Sequence, residues 1–117
     1  MREEIRDNGR LLHMSEAIRN IMGFMEGKGL EDLSTNKMLF YAVVKNIEII
    51  GEAAYKLTFG FVDSHPLTPW KQIIRMRHIL VHDYYNIEPE ELYNVISEDL
   101  PPLLKQLENY LNESFRE

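Results

Sequence analysis

The spacing of apolar residues along the chain predicts helices from one end to the other. From about Glu3 to Met25, apolar residues recur at steps of three and four, which is the pattern of an amphipathic helix. They are Leu11, Met14, Ile18, Ile21, Met22 and Met25. Gly27 and Gly29 follow, and glycine is the usual residue after a helix C-terminus. The pattern therefore predicts a first helix that ends just before this pair.

A second helix is predicted from about Thr35 to Leu57, and any residue of the run 34–36 (Ser-Thr-Asn) can cap its N-terminus. Gly51 lies inside this helix, next to Glu52 and two alanines. An interior glycine costs roughly 1 kcal/mol relative to alanine. We therefore expect Gly51 to serve helix packing by letting another helix approach closely.

The rest of the chain repeats the helical pattern. After a break over residues 59–66, Thr68 is the predicted N-cap and Pro69 the first position of a third helix. That helix carries Ile73, Ile74, Met76, Leu80 and Val81 and ends near residues 83–86. Glu88-Pro89 opens a fourth helix, which the run 99–102 (Asp-Leu-Pro-Pro) either kinks or divides from a fifth. The fold class is therefore predicted as all-α, an antiparallel helical bundle of about four to five helices, in a single domain over residues 1–117.

Composition narrows the class of protein. Apolar residues make up 44% and charged residues 27% of the chain, which is ordinary for a soluble globular domain. Cysteine is absent, so disulfides, zinc-thiolate sites and thiol catalysis are excluded, and a reducing cytoplasm is the expected location. The charged start of the chain predicts no signal peptide, and no segment approaches the roughly 20 apolar residues of a membrane span.

The charge distribution says more than the net charge of −6, which by itself argues against a generally basic, nucleic-acid-binding surface. Residues 64–82 contain no acid, and they contain Lys71, Arg75, Arg77 and three of the four histidines of the chain. Two interpretations stay open for this segment: chance clustering, or a confined site for an anion such as phosphate.

The candidate chemistry lies in residues 77–85, Arg-His-Ile-Leu-Val-His-Asp-Tyr-Tyr. At about 100° per residue, Arg77 and Tyr84 share a helix face, whereas His82 lies about 140° from Arg77. Arg77 and His82 can converge only if the helix loosens or if a second subunit contributes one of them. The pair suits phosphodiester cleavage, because histidine can take a proton from a 2′-hydroxyl and arginine can stabilise charge on the phosphate. This chemistry needs no metal.

Each of these residues also has a purely structural interpretation. Arg77 can pair with a surface acid such as Asp83, and His82 can interact favourably with the helix C-terminus. His78 can be a solvated helix residue, and the tyrosines can be packing groups with wet hydroxyls. Spacing alone leaves both interpretations open.

The order Arg77-x4-His82-x-Tyr84 resembles the R-x4-H-x-Y motif of the HepT-like HEPN family, toxins of HepT/MntA-type toxin–antitoxin systems. Three further patterns are similar to the family's. They are the run 51–54 ("GEAA"), the run 69–74 ("PW-x-x-I") and the run 99–101 ("DLP"). With the first-helix pattern, the resemblance covers about residues 3 to 112.

The resemblance implies a homodimer of all-α subunits, with the motif in a cleft at the dimer interface. It implies metal-independent, cofactor-free cleavage of RNA, with Arg77 and His82 catalytic and with His78 and Asp83 in support.

The resemblance further implies an antitoxin with a nucleotidyltransferase fold that transfers AMP from ATP to the motif tyrosine, Tyr84. Tyr85 is the rival acceptor. An alternative function is a dimeric HEPN protein that binds the nucleotidyltransferase without catalysis. The acidic net charge favours this alternative, whereas the intact pair of Arg77 and His82 favours the ribonuclease.

Overall fold

The computed structural model describes residues 2–116, and its side chains are described for residues 6–113. No strand occurs within residues 2–116, which confirms the all-α prediction. Four long helical elements correspond to the predicted bundle, and shorter helices join them. In chain order the elements are α1 (Arg2–Phe24), α2 (Leu30–Thr35), α3 (Lys37–Tyr55), α4 (Phe59–Ser64), α5 (Trp70–Asp83), a 3-10 turn (Tyr84–Asn86), α6 (Pro89–Asn94), a π-helical turn (Val95–Asp99) and α7 (Leu100–Arg116).

Helix α3 lies at the centre of the bundle. It packs against α1 on one side and α5 on another, while α1 also packs against α7. The apolar stripes predicted from spacing form the core, and its fully buried large side chains include Leu11, Met14, Ile18, Ile21, Val43, Ile50, Leu80, Leu92 and Leu107. Val81 is the exception, because it is 42% exposed although its spacing placed it on the buried face of α5. None of the helices within the described range is long and apolar enough to cross a membrane.

Two short helices occupy segments that apolar spacing left as loops. Helices α2 and α4 contain six residues each, fewer than two turns, so they carry too few positions for a helical period to be visible. Asn36 is the N-cap of α3, since its side chain accepts a hydrogen bond from the backbone N–H of Leu39 at 3.1 Å. The hydroxyls of Ser34 and Thr35 instead donate to backbone carbonyls within α2.

The predicted cap of α5 is wrong. The helix begins at Trp70, with Pro69 preceding it, and the side chain of Thr68 makes no capping bond. The buried Thr68 hydroxyl lies 2.7 Å from Gln106 Oε1 and 2.6 Å from the Tyr110 hydroxyl. Thr68 therefore ties the start of α5 to α7, because two polar partners from a distant helix are available to it.

Prolines 101 and 102 lie inside a helical path that continues from Pro89 to Arg116. Proline lacks a backbone N–H and clashes with the carbonyl four residues earlier. The π-helical turn lies over that stretch, and there the N–H of Leu100 bonds to the carbonyl of Val95, five residues back. The wider turn accommodates both prolines without ending the helix.

Candidate functional site

The motif arginine stands where α5 comes closest to α3. A Cβ atom placed on Gly51 would collide with the Cβ of Arg77, and it would lie 2.9 Å from Arg77 Cγ and 3.1 Å from the carbonyl oxygen of Ile73. Any larger residue at this position would push α5 away from α3. The predicted packing role of Gly51 is therefore confirmed, and it applies at the motif arginine itself.

Arg77 is held by a carboxylate of α3. Its Nη2 lies 2.7 Å from Glu52 Oε2, and Glu52 Oε1 lies 3.3 Å from Lys56 Nζ. The structural interpretation that Arg77 pairs with a surface acid is confirmed, but the acid is Glu52 and not Asp83, which instead accepts a hydrogen bond from Asn86 Nδ2 at 2.7 Å. The Arg77 side chain remains 31% exposed, so a fixed guanidinium is presented to solvent.

Arg77 opens into a cleft of about 310 Å³ between α1, α3 and α5. Four cationic side chains, one histidine and two carboxylates line this cleft, so its lining is positive although the chain is acidic. These charged and titratable residues are Arg10, Lys45, Lys56, Arg77, His13, Glu48 and Glu52, and Ile49, Ala53 and Val81 complete the lining. The cleft thus has the charge that an approaching phosphate requires.

The acid-free segment 64–82 predicted only part of this positively charged cleft. Of the bases in residues 64–82, Arg77 lines the cleft, whereas Lys71 and Arg75 are exposed outside its lining. His65 has a structural role, since its ring stacks on Phe61 with centroids 4.0 Å apart and meets Tyr110 edge-on at 4.6 Å.

The remaining cations of the cleft come from α1, from α3 and from Lys56 at the C-cap of α3, and sequence reasoning did not consider them for chemistry. A signal was present in α3, where charged residues recur at steps of three and four on one face. These are Lys45, Glu48, Glu52 and Lys56.

The second motif residue lies apart from the first. The rings of His78 and His82 lie 4.5 Å apart, one turn from each other on the exposed face of α5, and His82 does not line the Arg77 cleft. Helix α5 is regular through residues 70–83, so it does not loosen between Arg77 and His82. One chain by itself therefore does not bring Arg77 and His82 together.

Tyr84 begins the 3-10 turn directly after α5. Its ring is 42% exposed and meets Tyr41 of α3 edge-on, with centroids 6.1 Å apart. Tyr85 is 72% exposed and meets the Tyr84 ring at 5.8 Å. Tyr41 was not anticipated as part of this region. It gives Tyr84 a contact with α3 that orients the ring.

Charge and hydrogen bonding are the chemistry that these side chains offer. Within the described part of the chain, no three histidine or carboxylate side chains lie close enough together to hold a metal ion. Arginine and lysine bind phosphate oxygens directly, Arg77 through a planar fork of donors.

Comparison with known proteins places these residues in a family context. The family model described as "Ribonuclease HepT-like" matches residues 14–110, a range that contains Glu52, Arg77, His82 and Tyr84. The chain is 35% identical over 95 residues to a protein of Thermococcus cleftensis named "Probable ribonuclease HepT", which covers 81% of this chain and 86% of that protein.

Two further relatives have names that assign them as RNases by inference. One, from Methanocaldococcus jannaschii, is 33% identical over 98 residues, covering 84% of this chain and 90% of that protein. Another, from Caldanaerobacter subterraneus, is 31% identical over 103 residues, covering 88% of this chain and 92% of that protein. No solved structure matches the chain.

Proposed function

The chain belongs to the HepT-like ribonuclease family, and we propose that it is a metal-independent endoribonuclease in which Arg77 and His82 act on the RNA phosphodiester. The observation that carries this proposal is the position of Arg77. The motif arginine is fixed by Glu52 and partly exposed in a positively lined cleft, as a group that stabilises a phosphate must be.

The chemical step follows from the two side-chain types. His82 takes the proton from a ribose 2′-hydroxyl, and the 2′-oxygen attacks the adjacent phosphorus. The bond from phosphorus to the 5′-oxygen breaks, that oxygen takes up a proton from water, and the hydroxide left behind takes the proton from His82. The products carry a 2′,3′-cyclic phosphate and a 5′-hydroxyl. Arg77 stabilises the extra negative charge on the pentacoordinate phosphate.

A homodimer would complete the site. Because His82 lies outside the Arg77 cleft of its own chain, His82 of a second subunit is proposed to face that cleft. His78 supports the base by contacting the His82 ring. Asp83 supports the same region through its bond to Asn86, which fixes the turn that carries Tyr84.

Control of the activity is proposed to act through Tyr84 in a toxin–antitoxin system of the cytoplasm. A nucleotidyltransferase-fold antitoxin would position ATP so that the Tyr84 oxygen gives up its proton to solvent and attacks the α-phosphorus. The bond from that phosphorus to the bridging oxygen breaks, and pyrophosphate leaves. The attached AMP adds bulk and negative charge close to the motif, which opposes the binding of RNA phosphates. The exposure of the Tyr84 ring supports this role.

The test uses purified protein shown by mass spectrometry to be free of AMP, incubated in EDTA with structured and unstructured RNA. His82→Ala should lose about 10²- to 10⁴-fold in cleavage rate. Arg77→Ala should lose about 10²- to 10³-fold. Arg75→Ala is the matched control, because Arg75 is an exposed arginine of the same helix outside the cleft, and its rate should equal that of the wild type. DNA, which lacks the 2′-hydroxyl, should stay intact.

Two results would contradict the proposal. Equal cleavage by wild type and His82→Ala would place the activity elsewhere. Absence of cleavage on any RNA would favour the alternative, a dimeric partner of the nucleotidyltransferase without catalysis. The net charge of −6 and the separation of Arg77 from His82 within one chain favour that alternative. Stable binding of the nucleotidyltransferase by an inactive dimer would support it.

A further inference from the structure

The Arg77 cleft contains more positive charge than one phosphate needs. Lys56 shares the carboxylate of Glu52 with Arg77, so part of its charge is balanced locally. Arg10 of α1 and Lys45 of α3 form no ion pair with any described residue. Two cations with no carboxylate partner among the described side chains thus face the same cleft from two helices.

Arg10 also has a side-chain hydrogen-bond donor that lacks an acceptor within the described part of the chain. Its Nε atom is buried and has no hydrogen-bond partner among the described residues. Buried donors in proteins are nearly always satisfied, so an unsatisfied one calls for an acceptor. Arg10 also lines the cleft, so an anion bound there would lie beside the same guanidinium.

We propose that Arg10 and Lys45 form a second phosphate-binding subsite, which holds an RNA phosphodiester next to the one at Arg77. This inference rests on the proposed ribonuclease function and extends it to the substrate: a single-stranded RNA longer than one phosphodiester. The subsite is assigned by the cleft geometry. Arg10 lies before the range that the family model matches.

Electrostatics explains why such a subsite is needed. A chain with a net charge of −6 repels RNA at long range, so the attraction has to come from a local positive surface. Contacts of lysine and arginine with phosphates supply most of the sequence-independent affinity for nucleic acids. Arg10 and Lys45 can supply two such contacts beyond the one at the scissile phosphate.

The size of the cleft favours a single strand. Its volume of about 310 Å³ is at the lower end of the range for small-molecule sites, which is about 300–1,000 Å³. A flexible segment of single strand can enter such a space and adapt its backbone to the cations that line it.

The test measures the binding of RNA, so its result does not depend on whether the protein cleaves RNA. A dye-labelled, 2′-O-methylated single-stranded oligonucleotide cannot be cleaved through its 2′-oxygen, and its affinity is measured by fluorescence anisotropy over a series of salt concentrations. Each phosphate contact contributes about 0.7 to the slope of log affinity against log salt for single strands. Arg10→Gln combined with Lys45→Gln removes both cations that hold that one phosphate, so it should lower the slope by about 0.7 and weaken binding at low salt.

The matched control removes two positive charges elsewhere. Lys28 follows α1 and Lys105 lies on α7, and both are exposed outside the cleft. Lys28→Gln combined with Lys105→Gln has the same net charge as the test variant and should keep the wild-type slope. Lys45→Gln alone, a change at an exposed position, should lower the slope by part of that amount and guards against a folding defect caused by the change at Arg10.

The outcomes separate the subsite from the ribonuclease itself. Equal slopes for the test and control variants would overturn the subsite even if the wild type cleaves RNA. A lower slope for the test variant alone would support the subsite even if no cleavage is found. Tight binding of ATP by the wild type, weakened in the test variant while the oligonucleotide is unaffected, would overturn the RNA assignment in favour of a nucleotide phosphate. Absence of oligonucleotide binding by the wild type would overturn it as well.

Discussion

Glu52 forms an ion pair with the guanidinium of Arg77, with 2.7 Å between Oε2 and Nη2. Glu52 directly follows Gly51, the glycine that lets α3 and α5 come into contact. Gly51 removes the steric barrier between α3 and α5, and Glu52 supplies the charge that fixes the arginine once α5 has come close. The room for the close approach of α5 and the ion pair that holds Arg77 therefore come from two adjacent residues of α3, Gly51 and Glu52. The motif arginine depends on a neighbouring helix for its position as well as on its own.

Glu52→Gln should separate binding from turnover. Removal of one negative charge from the cleft should strengthen the binding of RNA. Loss of the ion pair should leave Arg77 less well placed, and a misplaced group costs up to about 10²-fold in rate, so we expect kcat to fall by about 10- to 100-fold. Steady-state kinetics on one RNA substrate measures both effects as a lower KM and a lower kcat.

Glu48→Gln is the control for this prediction. Glu48 lines the same cleft but makes no ion pair with Arg77. Its substitution should lower KM by a similar amount without the loss of kcat. An unchanged kcat in Glu52→Gln would show that the carboxylate does not position the arginine.

Gly51→Ala should destabilise the protein although alanine is the better helix former. The added methyl group would collide with Arg77 Cβ, and overpacking of this kind costs about 1–3 kcal/mol. The gain in helix propensity of up to about 1 kcal/mol offsets only part of that cost. Chemical denaturation followed by circular dichroism should therefore give a lower free energy of unfolding.

Gly9→Ala provides the comparison, because Gly9 also lies inside a helix but an added Cβ there would meet nothing within 4 Å. It should raise the free energy of unfolding by about 0.5–1 kcal/mol. If Gly51→Ala were as stable as Gly9→Ala, the close approach of α5 to α3 at this point would be refuted.

The sequence predicts the fold where each helix carries its own signal. Helices α1 and α3 have long apolar stripes, and their bounds differ from the predicted ones by about two residues or fewer at each end. The failures come from tertiary contacts and from length. Thr68 has the chemistry of an N-cap, but its hydroxyl binds side chains about 40 residues later, which no local pattern reveals.

The site was predictable only in its motif. Arg77, His82 and Tyr84 are found by spacing and resemblance, because they lie within one short stretch. The partners Glu52 and Arg10 are found only once the faces of three helices meet. Two signs of that meeting were visible in α3: Gly51 marked a close approach without naming the approaching residue, and the charged residues at steps of three and four marked a polar face.

Modification by AMP is expected at Tyr84 and not at Tyr85. Tyr84 is exposed and oriented by its edge contact with Tyr41, whereas Tyr85 has only the Tyr84 ring as an aromatic neighbour among the described residues. A fixed orientation helps a transferase place the acceptor oxygen in line with the phosphorus. Co-expression with the nucleotidyltransferase, followed by intact-mass measurement, should show the added AMP on wild type and on Tyr85→Phe but not on Tyr84→Phe.

The two tyrosines lie in one tryptic peptide, because no lysine or arginine separates them, so fragmentation between residues 84 and 85 is needed to place the group. Addition of AMP to Tyr84→Phe with none on Tyr85→Phe would reverse the assignment.

The shared active site is tested by mixing two inactive variants. If Arg77 of one subunit works with His82 of the other, a dimer of one Arg77→Ala chain and one His82→Ala chain keeps one complete site and loses the other. If each chain used its own pair, both sites of that mixed dimer would lack a residue. Helix α5 keeps Arg77 and His82 on different faces, so we expect the first result.

Random pairing of the two variants sets the fraction of active sites that should be restored. Equal amounts of the two variants, unfolded and refolded together, form about one half mixed dimers, so about one quarter of the wild-type sites should be restored. The measurement is the initial rate of RNA cleavage by the mixture compared with each variant refolded alone. The same mixture without subunit exchange is the control and should stay inactive. A refolded mixture that stays inactive, although mass spectrometry of the native complexes shows the mixed dimer, would mean that Arg77 and His82 do not meet across the interface.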